Sequence, residues 1–153
     1  MWSIQMAQSS PESKKKYKKT CKGIEAELRY RENQRITPKG RAGLMLKNTK
    51  SDAKKRNIEY ALTTAWLEKK LQTGLCEKTG LPFVLNDKED ATLTQKTRKH
   101  PFSPSLDRHD SNKGYTTENT AVVCLMYNYA KNVFEEQAVE QFCRAYLAHN
   151  GLV

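Results

Sequence analysis

Ser105-Leu106-Asp107-Arg108-His109-Asp110-Ser111-Asn112-Lys113-Gly114-Tyr115-Thr116-Thr117-Glu118-Asn119, followed by Thr120-Ala121-Val122-Val123-Cys124-Leu125-Met126-Tyr127-Asn128-Tyr129-Ala130-Lys131, decides the reading of this 153-residue chain. It reads as two short strands around a turn, then a helix. Asp110 to Gly114 is turn chemistry: Asp and Asn bond back to their own backbone, and Gly accepts a positive φ at no steric cost. Strand alternation before the turn sends Ser105, Asp107 and His109 to one face and Leu106 and Arg108 to the other. A carboxylate and an imidazole therefore look the same way. Beyond the turn, Ala121-Val122-Val123 is an apolar strand, and Asn128 and Lys131, three residues apart, share one side of a helix.

These residues resemble the HNH, or ββα-metal, endonuclease family. In that family an Asp and a His on the first strand, an Asn in the hairpin and a His or Asn on the helix hold one divalent cation and activate a water. Asp107, Asn119 and Asn128 match in type, order and spacing, twelve residues and then nine. Lys131 matches a basic residue one helical turn on. The likeness extends upstream to Gly74-Leu75-Cys76-Glu77-Lys78-Thr79-Gly80-Leu81-Pro82-Phe83, similar to the segment before the hairpin in small phage-type members, and covers about half of the chain.

One position departs from the pattern. The family usually places its general-base histidine directly after the Asp, where this chain has Arg108, and arginine cannot take a proton at neutral pH. The resemblance then implies His109 as base, with His100 as its rival and Arg108 at a phosphate or in an ion pair. Asp107 and Asn128 would hold Mg²⁺ or another divalent cation such as Mn²⁺ through oxygen, and Asn119 would brace the hairpin.

The resemblance implies an α+β fold, in which the hairpin-helix module packs on surrounding helices behind a basic N-terminal arm. The expected divisions are a flexible arm over 1–22, a basic helical DNA-contacting region over 23–73 and the nuclease-like module over 74–153.

Charge supports a polyanionic partner. Residues 1–60 hold 16 Lys and Arg against 6 Asp and Glu, a net of +10, and the remaining 93 residues hold 11 of each. Such asymmetry suits binding to DNA, or less readily RNA, through phosphates and counterion release. Thr37-Pro38 signals a helix start, and the helix to about Arg56 carries Lys39, Arg41, Lys47, Lys54, Lys55 and Arg56. With Lys131, these are the expected nucleic-acid contacts.

Other segments read more plainly. Ile24 to Arg35 predicts a short helix with Ile24, Leu28 and Tyr30 on its apolar face, and Ile58 to Leu62 alternates like a strand. Thr63 or Thr64 caps a helix through Trp66 and Leu71 that ends at Gly74. Asn86 to Lys99 predicts a long exposed loop. Phe134, Ala138, Val139, Phe142, Tyr146 and Leu147 predict an amphipathic helix closing the core. No stretch approaches the roughly 20 apolar residues of a membrane span, and no secretory leader is evident, so a cytoplasmic protein is expected. Cys21, Cys76, Cys124 and Cys143 contain no Cys-x-x-Cys pair, so buried thiols are expected rather than structural zinc. Two competing readings remain: a catalytically inactive nucleic-acid-binding protein on the same fold, and a small basic RNA-binding protein. Oligomeric state is open.

Overall fold

The computed structural model describes residues 10–17, 20–86 and 100–152. Six helices and one two-stranded antiparallel sheet occur among them: α1 (Pro11–Tyr17), α2 (Cys21–Ile36), α3 (Pro38–Lys55), α4 (Thr64–Gln72), β1 (Pro104–Arg108), β2 (Thr120–Cys124), α5 (Leu125–Lys131) and α6 (Glu136–His149). The class is mixed α and β, as expected. Helix α1 falls within the segment read as a flexible arm. Most of the expected exposed loop, 87–99, lies outside the described residues.

The helical region is built on threonine caps. The Thr37 hydroxyl donates to the Asn33 carbonyl at 2.6 Å and accepts from the Gly40 amide at 3.2 Å. One side chain thus closes α2 and opens α3, satisfying an orphan group at each helix end. The corner is tight: a Cβ on Gly40 would stand 2.5 Å from the Asn33 carbonyl oxygen. Gly40, which lowers helix propensity, is what lets α2 and α3 meet. Thr63 caps α4 in the same manner, accepting from the Trp66 amide.

Both faces of the sheet are covered. In the observed register Leu106 pairs with Val122, Asp107 with Ala121 and Ser105 with Val123. Leu106 and Val122 pack with Ala42 and Leu46 of α3 and with Leu62, Leu67 and Leu71. Ala121 and Val123 face the other way, onto Cys76, Cys124 and Tyr127. All five β2 residues are buried, so this short strand lacks the solvent-facing polar alternation of a half-exposed one. As expected, α4 supplies the platform beneath the hairpin, through Leu67 and Leu71.

Three expectations are corrected. Ile58 to Leu62 is not a strand: it forms a single bridge, Tyr60 to Tyr115. It nevertheless explains Gly114, which does not have positive φ. A Cβ there would lie 2.5 Å from Glu59 backbone and side-chain atoms, so glycine permits a close approach rather than a turn. The apolar face of α2 is unpacked, with Ile24, Leu28 and Tyr30 all exposed. Finally, α6 forms where expected but does not close the core: none of its residues is buried, and Phe142 and Tyr146 are 66% and 56% exposed. Only Val139 packs against the cluster around Cys76.

Candidate functional site

Asn119 holds the hairpin loop from its centre. Its carbonyl oxygen accepts from the Asp110 amide at 3.0 Å, and its amide nitrogen donates to the carbonyls of Asp110 at 3.1 Å and Gly114 at 2.9 Å. The side chain is buried, so these bonds satisfy groups that water cannot reach. The Asx turn read from sequence is present, the Asn112 amide donating to Asp110 Oδ1 at 2.9 Å. That bond, then those with Lys113, holds the Asp110 carboxyl below the ordinary aspartate range.

Asp107 points into the protein beside the hairpin. Its side chain is 4% exposed, and Oδ1 meets Lys131 Nζ at 3.3 Å. Among the described residues, Oδ2 is buried with no hydrogen-bond partner. An ionised carboxylate oxygen left dry is costly. The lysine also donates to the Arg108 carbonyl at 2.9 Å. Lys131, expected at a DNA phosphate, is therefore corrected: it is 3% exposed and committed to β1. A buried pair of this kind gains little net stability when intact and costs much when one partner is lost.

Asn128 sits one helical turn earlier and joins the same strand. Its amide nitrogen donates to Ser105 Oγ at 2.8 Å and to the Leu106 carbonyl at 3.1 Å. No hydrogen bond joins it to Asp107 among the described residues. Of the two expected cation ligands, Asn128 is thus bonded to Ser105 and Leu106, and Asp107 is in direct contact with Lys131. No group of three or more His, Cys, Asp or Glu placed to hold a metal occurs among the described residues.

Arg108 is also corrected from a phosphate or ion-pair role. It is 8% exposed, its guanidinium donates to the Lys113 carbonyl, and it lies 5.2 Å from the centre of the Tyr115 ring. It braces the loop through a cation–π contact and a hydrogen bond. His109 is exposed, with its backbone amide donating to the Asn119 carbonyl at 2.9 Å. A bond from Lys78 at 2.7 Å and the lysine charge hold the Glu136 carboxyl below the usual range, with His109 adding to the effect. The rival His100 is occupied differently: its Nδ1 accepts from the Phe102 amide at 3.1 Å, and its ring packs on Phe102.

Tyr127, which the sequence reading passed over, belongs to this neighbourhood. Burial, then the negative charges of Glu136 and Asp107, pushes its phenol well above the ordinary tyrosine value. It stays neutral, and its hydroxyl is buried with no hydrogen-bond partner among the described residues. Its position three residues after Cys124 gave no signal of this. Cys76 and Cys124 are buried and adjacent, the Cys124 amide donating to Cys76 Sγ at 3.2 Å. Burial acts to raise the Cys76 thiol, but bonds from the Thr79 hydroxyl and nearby backbone outweigh it; burial raises Cys124.

The basic residues Lys39, Lys47, Lys54, Lys55 and Arg56 are exposed and Arg41 is half-buried. No helix among the described residues is long and apolar enough to cross a membrane.

No family model matches the chain, and no curated protein does. Among solved structures, the rare-cutting HNH restriction endonuclease PacI is similar, with a TM-score of 0.48 and 19% identity over 73% of this chain and 82% of that one.

Proposed function

We propose that this chain is a metal-dependent HNH-type endonuclease that hydrolyses phosphodiester bonds in DNA. The observation that carries the proposal is the buried Oδ2 of Asp107, without a hydrogen-bond partner among the described residues, on the strand of an Asn119-clamped hairpin with α5 packed behind it. In this reading Asp107 and Asn128 would hold a hard cation through oxygen, and the ion would take the place of the Lys131 ammonium at the carboxylate. Bound there, Mg²⁺ or Mn²⁺ would supply charge stabilisation for the scissile phosphate and the leaving oxygen.

The chain's own residues do the rest. His109 takes the proton from the attacking water, a task for which imidazole suits neutral pH. Asn119 fixes the loop that carries His109, through both side-chain and backbone bonds. Arg108 braces that loop from inside. The exposed cations of α3 grip phosphates without reading bases, so binding weakens steeply with salt.

Lys131 supports the competing reading of nucleic-acid binding without catalysis, because its ammonium already neutralises Asp107. Nicking of supercoiled plasmid decides between them. The expected result is nicking that requires Mg²⁺ or Mn²⁺, is lost in Asp107→Ala and His109→Ala, and persists in His100→Ala. Salt-sensitive binding with no nicking at any metal concentration would leave the inactive binder.

A further inference from the structure

A cavity of about 490 Å³ lies between the α2–α3 corner and β1, and Asp107 does not line it. Arg35, Arg41 and Asn48 stand on its helical side, and Ser103, Asn128 and Tyr115 on its hairpin side. This combination has a specific chemistry. Guanidinium groups bind phosphate through paired donors. The Asn48 amide offers the donor and acceptor that a base edge needs, whereas the Asn128 amide nitrogen is already given to Ser105 and Leu106. An aromatic ring with neighbouring aliphatic groups accepts the face of a base.

Ser103 adds an independent pointer to a ligand. The residue is 1% exposed, and its hydroxyl has no hydrogen-bond partner among the described residues. A buried hydroxyl without a partner is unfavourable, and a small rotation that presents it to the cavity would let a bound polar group relieve it. The volume falls in the range of small-molecule sites, enough for one nucleotide and far too little for a duplex.

Position completes the argument. Ser105, which also lines the cavity and bonds to Asn128, is two residues from Asp107 on the same face of β1. Two strand residues span about 6.6 Å, on the scale of one nucleotide step. We propose that this cavity receives one unstacked nucleotide of the strand being cut, so that the preferred substrate is DNA with an unpaired nucleotide beside the scissile phosphate. A paired base would have to leave its stack to enter, and that cost is least for a base already unpaired. The inference rests on the endonuclease reading for which strand is held; its test does not depend on cleavage.

The test is fluorescence anisotropy without divalent metal, at about 0.15 M salt, comparing a fully paired duplex with the same duplex carrying one extra unpaired nucleotide. Wild type is expected to bind the second about tenfold more tightly. In Asn48→Ala, a change at an exposed position of α3, and in Arg41→Ala the ratio is expected to fall toward one. A wild-type ratio of one, or a ratio that both variants keep, overturns the inference. Plasmid nicking is scored separately. Nicking with a ratio of one removes the cavity's role and leaves the endonuclease reading, whereas a tenfold ratio without nicking does the reverse.

Discussion

The hairpin and the last helix are opposites. Strand β2 has five residues, all buried, while α6 has fourteen and buries none. In sequence the helix is the stronger pattern, with apolar residues at three- and four-residue steps. The difference lies in what each has for partners. The hairpin is fixed by directional bonds from Asn119, Asn128 and Lys131 and by apolar contacts on both faces. Helix α6 is tied by Val139 and by the Lys78–Glu136 ion pair at 2.7 Å, and its Phe142–Tyr146 ring pair faces outward. An amphipathic period says that one face is apolar and nothing about what covers it.

The comparison is broken most forcefully at Lys131. Lys131→Met leaves the buried Asp107 carboxylate without its cation and is expected to cost about 3–5 kcal/mol in urea unfolding. A loss under 1 kcal/mol would mean that the pair is solvated. Asn119→Ala removes three loop bonds and strands the buried Gly114 carbonyl together with the half-buried Asp110 amide and carbonyl; the expected loss is about 2–3 kcal/mol. Its effect should reach His109, whose amide bonds to the Asn119 carbonyl.

The α6 changes should be much smaller. Phe142→Ala is expected to shift stability by no more than about 0.5 kcal/mol, because the ring is already exposed. Acid sharpens the same contrast. Glu136 has a lowered folded pKa, so its contribution is complete above the ordinary glutamate range and is lost as pH falls through the lowered value. The carboxylate is half exposed, which limits the energy involved. Backbone NMR signals at the start of 136–149 should therefore move as pH falls through that lowered value.

Local rules made much of this molecule readable from its sequence. Thr37 and Thr63 cap helices, strand alternation separates Leu106 from Asp107, and Asp110 forms an Asx turn, each through contacts within a few residues. What resisted reading depends on long-range packing. Gly114 is required by Glu59, fifty-five residues away, rather than by its own φ. Lys131 shares a helix side with Asn128, as its spacing implied, but its burial is set by how α5 lies on β1. Ser103 and Asn48 carried no signal, because what brings them together is a cavity between distant elements.

Titration with Mn²⁺, followed by loss of the free-ion EPR signal, reaches the central claim without requiring DNA or turnover. Wild type should bind one ion, and Asp107→Asn should abolish that site while its circular dichroism stays unchanged. Equal Mn²⁺ binding by wild type and Asp107→Asn, or none by either with and without DNA, would contradict a cation held at this carboxylate.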